Sequence, residues 1–280
     1  MNARHAPRVI AVSSGKGGVG KTFLSVHLAA RAAAQGKRVL LLDADLGLAN
    51  VDVMLGISAR GSIQQVVEAG ATLEEIMVRA PQGFDVLPGG SGLYELSALS
   101  SAQQMLMLDE MDAIAGNYDL VLIDTAAGIG ENVLYFVSAA EAALVVMTPD
   151  PTSLTDAYAL IKVLSRQRDV RRFMVAVNQA DEIEAQLAYR RLLMVADRYL
   201  SVQLDYVGHM PSTLDVRRAV QSQTLIDQMP SATCRQSLYK LLDTILQQPR
   251  DGARGSGLQF FWQHSLAAGL GNGHAARSHS

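Results

Sequence analysis

One cysteine, Cys234, is all that 280 residues contain. That excludes a disulfide framework within the chain, and an iron–sulfur cluster or Cys-ligated zinc site built by one chain alone. Cys234 itself reads as a small, semi-apolar helix residue. Aromatics are scarce at 5%, with a single tryptophan. No uninterrupted apolar run approaches the ~18–20 residues that a membrane-spanning helix requires. Neither sign of charge dominates: 24 basic residues stand against 27 acidic, a net of −3. Binding to nucleic acid through overall charge is therefore not expected, and no direct nucleic-acid partner is implied. The opening segment MNARHAP leads straight into a strand-like run, not into a secretory leader. A cytoplasmic setting is the expectation.

What the chain does have is a repeated alternation. Short aliphatic runs occur at Val9–Val12, Val39–Leu42, Phe84–Leu87, Leu120–Ile123, Leu144–Met147, Phe173–Val177 and Tyr206–Met210. Between them lie Ala- and Leu-rich helical stretches at 21–35, 97–115, 152–168, 181–200 and 230–248. Strands that read as solid apolar blocks are buried on both sides. The expectation is an α/β fold: a mostly parallel sheet with helices on both faces. The composition shifts at Pro249, where PRDGARGSG has the bias of a linker. The expected organisation is one domain over 8–248, a linker over 249–257, a short amphipathic element over 258–270 and a disordered tail over 271–280.

The strongest local signal is Ser14-Gly15-Lys16-Gly17-Gly18-Val19-Gly20-Lys21-Thr22. It follows an apolar run and opens a helical stretch, the context a phosphate-binding loop requires. Gly15, Gly17, Gly18 and Gly20, with Val19 between them, let backbone N–H groups turn toward phosphate oxygens. The helix that starts near Lys21 aims its positive end at the same anion. Lys21 supplies a point charge to the β- and γ-phosphates, and Thr22 offers its hydroxyl to Mg²⁺.

Two acidic segments follow. Asp43 and Asp45 stand at the C-terminal end of the second apolar run, where open α/β sheets bind ligands. Such acids either face the phosphates, orienting water or Mg²⁺, or cap the next turn. Asp124 ends the run Leu120–Ile123, a pattern whose carboxylate would hold the Mg²⁺ hydration shell. Gly128 and Gly130 beyond it can absorb a backbone change when the γ-phosphate leaves. No histidine or second nucleophile clusters with these acids. The chemistry implied is in-line attack of water on the γ-phosphate, by positioning and charge stabilisation.

At the other end of the expected pocket, Asn178 closes a strand in an amide able to read an adenine edge. Pro211 closes another strand. Both residues serve equally well as ordinary loop and helix-start punctuation.

The second lysine early in the loop, Lys16, makes the chain resemble the MinD/ParA group of deviant Walker A ATPases. The resemblance spans about 8–230 and implies a single P-loop NTPase domain of the MinD-like (SIMIBI) type. In that group the residue matching Lys16 reaches across an ATP-sandwich homodimer to the partner's nucleotide. The one matching Asp45 positions the attacking water, the one matching Asp43 lies near Mg²⁺, and those matching Asn178 and Pro211 hold adenine. The catalytic set implied is Lys16, Lys21 and Asp45; the metal set is Thr22, Asp43 and Asp124. Many relatives carry an aspartate two residues after the proline, where Thr213 stands here. Thr213 still suits a helix N-cap.

The segments DADLGLANVD (Asp43–Asp52), DTAAGIG (Asp124–Gly130) and PTSLTDAYALIKVL (Pro151–Leu164) look like the flagellar-number branch, FlhG/FleN. In the third, Thr152 or Ser153 is the expected cap, and Leu154, Ala157, Tyr158, Ile161 and Leu164 line one inward face. That branch implies a FleQ-like AAA+ transcription activator and an FlhF-like SRP-type GTPase as partners. No D-Q-A-x-x-L-R segment precedes the first strand, so activation of the GTPase through such a segment is not expected. Leu258, Phe261, Trp262, Leu266 and Leu270 form one helical stripe. The stripe suits reversible contact with the cytoplasmic membrane through Phe261, Trp262 and Leu266. It equally suits docking on the domain, because 258–270 holds no Lys or Arg to attract anionic lipid.

Overall fold

Solid apolar runs become the middle of one sheet. In the computed structural model, which describes residues 6–45, 50–58, 61–89, 100–225 and 231–250, β1 (Arg8–Ser14) lies between β5 (Leu120–Ala127) and β6 (Ala142–Met147). Beyond β5 lie β2 (Val39–Ala44), β4 (Asp85–Leu87) and β3 (Val78–Arg79); beyond β6 lie β7 (Arg172–Asn178) and β8 (Gln203–Met210). The order is β3-β4-β2-β5-β1-β6-β7-β8, parallel throughout except for the β3–β4 pair. The sheet is thus mostly parallel, as expected. Phe84 precedes the third expected strand instead of starting it.

Helices cover both faces. One face carries α1 (Lys21–Ala34), α2 (Asn50–Leu55), α9 (Leu214–Gln221) and α10 (Ala232–Gln247), packed with Ile10, Val12, Leu41 and Leu122. The other carries α3 (Ile63–Ala69), α4 (Leu73–Ile76), α5 (Ser101–Ala115), α6 (Glu131–Ala139), α7 (Pro151–Gln167) and α8 (Glu182–Tyr199), packed with Val9, Ala11, Val121 and Ile123. Alternate residues of β1 therefore feed opposite cores, the geometry of a strand buried on both sides.

In α7, Ala157, Ile161 and Leu164 are buried, and Leu154 and Tyr158 pack against the same core. Its cap differs from the expectation. Asp150, not Thr152 or Ser153, accepts from the Ser153 N–H at 2.9 Å, with Pro151 as the first helical residue. Proline's fixed φ and missing N–H suit that position, so the cap moves one residue upstream of it. Thr213 caps α9 as expected, accepting from the Val216 N–H at 3.2 Å. Cys234 is buried in the first turn of α10, 3.2 Å from the Thr213 hydroxyl. Of the linker only Pro249 and Arg250 are among the described residues. The element 258–270, with Phe261, Trp262 and Leu266, and the tail 271–280 lie outside them.

Candidate functional site

The glycine-rich loop runs from the end of β1 into α1, and two close approaches shape it. A Cβ on Gly15 would meet the Asp156 carbonyl oxygen of α7 at 2.0 Å. A Cβ on Gly20 would meet Asn178 Nδ2 at 2.2 Å, and Gly20 is left-handed at φ 90°. Only glycine fits there, on both counts. Val19 is buried in the core and turns its carbonyl to Asn178 Nδ2 at 2.8 Å. Gly17 and Gly18 face open space. The loop is thus pinned from behind by α7 and Asn178, while its glycines stay open to a ligand.

Lys21 and Thr22 follow at the start of α1. Lys21 is 7% exposed; burial pulls its ammonium below the usual lysine range, while Asp124 and Asp45 push it back up. Asp124 is fully buried on β5, and Oδ1 accepts from the Ser25 hydroxyl at 3.0 Å. Burial lifts its carboxyl to about 6, against the opposing effects of the Thr22 hydroxyl, Lys21 and Ser25. Its Oδ2 is buried with no hydrogen-bond partner among the described residues. Such an atom calls for a ligand. An unpartnered carboxylate oxygen beside a threonine hydroxyl fits a Mg²⁺ ion that keeps several waters.

Asp43 lies opposite Asp124 in the β2–β5 register. It is buried as well, pushed up to about 7 chiefly by desolvation. Its two oxygens accept from the Asp45 N–H at 3.1 Å and the Val51 N–H at 3.4 Å. Asp45 stands one residue past the end of β2 and lines the cleft. The two acids therefore separate: Asp43 braces the backbone while Asp45 faces the ligand space. Gly128, with its N–H on the Ser14 carbonyl at 2.9 Å, ties the segment after β5 to the loop.

A cleft of about 1010 Å³ opens over the loop and Asp45. Its lining includes Gly17, Gly18, Gly20, Lys21, Thr22 and Asp45. Asn178 and Gln179, which touch the loop at Val19 and Gly18, continue the lining to Ser212 and Thr213, one residue beyond Pro211. Lys16 instead reaches α7, its Nζ 2.8 Å from the Thr152 hydroxyl. The sequence reading missed the side walls: Val53 and Met54 from α2, Val216 and Arg217 from α9, and Gln179 and Gln223. No local motif marks them. Gln179 and Gln223 do share a left-handed backbone, at φ 59° and 52°, which only the folded chain reveals.

A loop that exposes glycine N–H groups to a roomy cleft, with a buried lysine, a threonine hydroxyl and flanking acids, is the apparatus of a P-loop nucleotide hydrolase. The sequence model described as an AAA domain matches residues 7–175. The chain belongs to that family and is an ATPase of the MinD/ParA type, with the deviant lysine at Lys16. Antiactivator FleN of Pseudomonas aeruginosa is 44% identical to it over 81% of this chain and 81% of its own length. Flagellum site-determining protein YlxH of Helicobacter pylori is 33% identical over 88% of this chain and 84% of its own. Among solved structures, the MinC:MinD cell division complex of Aquifex aeolicus superposes with a TM-score of 0.66 at 28% identity, covering 86% of this chain and 97% of that one.

Proposed function

We propose that the chain is an ATP-driven dimerisation switch that regulates flagellar number, acting against a FleQ-like AAA+ transcription activator. The observation that carries the reading is the completeness of the site. Lys21, Thr22 and Asp45 share one cleft, and the unpartnered Asp124 Oδ2 sits beside Lys21 and Thr22. The biological output is inferred from the antiactivator and the flagellum site-determining protein, which match most of the chain.

In this reading the N–H groups of the loop and Lys21 hold the phosphates of ATP. Mg²⁺ is held by the Thr22 hydroxyl and, through water, by Asp124, with Asp43 bracing the segment beside it. The ion shields phosphate charge when bound. Asp45 orients a water for in-line attack on the γ-phosphate, and hydrolysis is slow, as suits a switch. Lys16 leaves α7 and reaches the nucleotide of a second copy, where it neutralises developing charge.

Base selection follows from the geometry of one amide. Asn178 donates one of its two Nδ2 hydrogens to the Val19 carbonyl, which orients the amide and leaves Oδ1, with the second hydrogen, for the base. An acceptor there matches the amino group of adenine and repels the oxo group of guanine. Pro211 supports the neighbouring Ser212 and Thr213.

An FlhF-like GTPase is a second partner in this reading. Phe261, Trp262 and Leu266 give the dimer reversible contact with the cytoplasmic membrane, two weak segments acting through effective concentration. Equal liposome binding by wild type and Trp262→Asp would remove that part. The resemblance to MinD favours a second reading, a spatial organiser of the division site or of other cargo.

The test is biochemical. Asp45→Ala is expected to bind ATP, hydrolyse it poorly and accumulate as a dimer. Lys16→Ala is expected to bind ATP and stay monomeric. ATP-dependent dimerisation of Lys16→Ala equal to that of wild type overturns the role of Lys16 in trans, and a wild-type chain that stays monomeric with ATP overturns the switch.

A further inference from the structure

Gln223 occupies a position where glycine is the rule. Helix α9 ends with the Thr224 N–H on the Ala219 carbonyl at 3.0 Å and the Gln223 N–H on the Val220 carbonyl at 3.4 Å. That is a Schellman closure, and its exit residue must turn left-handed. Gln223 does so at φ 52°. Residues with a long side chain avoid this conformation, which glycine or asparagine ordinarily takes.

The side chain of Gln223 supplies the reason. Its Nε2 donates to the Val53 carbonyl at 2.5 Å. Val53 lies in the last turn of α2, where carbonyls lack helical partners; the Gly56 N–H reaches the same oxygen only at 3.4 Å. The start of α2 is tied in turn to the acids, through the Val51 N–H on Asp43 and the Asp45 N–H on the same carboxylate. A continuous set of contacts thus runs from the end of α9, through α2, to Asp43 and Asp45. The start of α9, at Thr213, Val216 and Arg217, lines the same cleft.

We propose that Gln223 is a positioning residue for hydrolysis, a clasp that holds α2 and the Asp43–Asp45 segment in register with α9. The inference rests on the cleft being the ATP site. Gln223 forms part of the cleft wall, but among the described residues its side-chain hydrogen bond goes to Val53 and not to the phosphate loop or Asn178, so it governs turnover more than binding. It also gives α9 a route by which a ligand at the base end steadies the acids.

The test uses the full chain and steady-state ATP hydrolysis. Gln223→Gly keeps the left-handed turn and loses the side chain. Gln223→Glu keeps the length and loses the donor. Both are expected to lower kcat about fivefold and to hold KM within about twofold of wild type. The thermal midpoint of Gln223→Gly should not fall, because its backbone is relieved. Gln223→Lys restores a donor of similar reach and is expected to recover kcat to within about twofold. A merely structural role would move the midpoint and leave kcat alone. Unchanged kcat in the Gly and Glu variants, or a loss that Lys does not repair, overturns the clasp while the ATP site stands. A wild-type chain that neither binds nor hydrolyses Mg-ATP overturns both together.

Discussion

Lys16 Nζ lies 2.8 Å from the Thr152 hydroxyl, so the first lysine of the loop is folded onto the start of α7. Asp150 Oδ1 is 3.5 Å from the same ammonium. Hydrogen bonds from the Thr148 and Thr152 hydroxyls and the Ser153 N–H hold the Asp150 carboxyl well below the usual range, and Lys16 adds to the effect. The lysine and the aspartate are about equally exposed, at 44% and 45%. Surface pairs of this kind are weak and easily exchanged. The residue that the proposed dimer needs in trans is thus held lightly in cis.

Weakening that hold should favour the dimer. Asp150→Asn keeps an acceptor for the Ser153 N–H and removes the charge. At limiting ATP its dimer fraction is expected to rise about twofold to fivefold, as fits a surface pair worth ~0.5–1 kcal/mol. Light scattering coupled to gel filtration reads this directly. A dimer fraction equal to or below that of wild type would show that the contact does not restrain Lys16.

Gly20→Ala should damage the loop twice. Its φ of 90° disfavours any Cβ, and that Cβ would sit 2.2 Å from Asn178 Nδ2. The expected destabilisation is ~2–3 kcal/mol, a fall of about 4–10 °C in thermal midpoint for a chain of this size. ATP affinity should drop more than tenfold, because Asn178 is displaced from the Val19 carbonyl. Isothermal titration and a melting curve check the two effects separately.

Asp43 makes the nucleotide-free chain sensitive to pH. Its folded-state carboxyl is lifted to about 7 by burial, from an unfolded value near 3.8. Between those values the folded chain binds more protons than the unfolded one, so this group's contribution to stability falls as pH rises through that window. Asp43→Asn removes the buried charge and also one of the two acceptors that hold the Asp45 and Val51 N–H groups, a loss that does not vary with pH. In EDTA its thermal midpoint relative to wild type should therefore be about 2–5 °C higher at pH 8 than at pH 5. Equal differences at the two pH values would mean that the charge is not what strains the site.

Asn178→Ala removes the strut behind Val19 as well as the acceptor offered to the base. KM for ATP is expected to rise about tenfold or more, with a smaller change in kcat. Selectivity for ATP over GTP should fall with it, since the only atom assigned to that choice is gone. Steady-state kinetics with both nucleotides decide the matter.

Much of the fold and the phosphate end of the site is legible in the sequence, because both depend on local pattern. Apolar blocks mark the central strands, and the loop, Asp45 and Asp124 follow those blocks within a few residues. The strands run longer than the apolar blocks, since Ser13, Ser14, Asp124 and Thr125 continue them toward the ligand edge. Short elements escape such reading. β3 has two residues, too few to show a period. α3 and α4 are brief, yet each opens with a capping box, at Ser62 with Gln65 and at Thr72 with Glu75, a signal that was there to read. α6 carries valine, tyrosine and phenylalanine, poor helix formers that packing overrides. The side walls of the cleft were illegible for a different reason: Val53, Arg217 and Gln223 meet only because α2 and α9 pack on the same face of the sheet.

The role proposed for this ATPase is to set flagellar number. The most direct measurement deletes the gene in its host, complements it with wild type or Lys21→Ala, and counts flagella and measures cell length in the same electron micrographs. Extra flagella at normal cell length are expected, corrected by wild type and not by Lys21→Ala. A normal flagellar count with filaments or minicells would contradict it and assign the same ATPase to the division site.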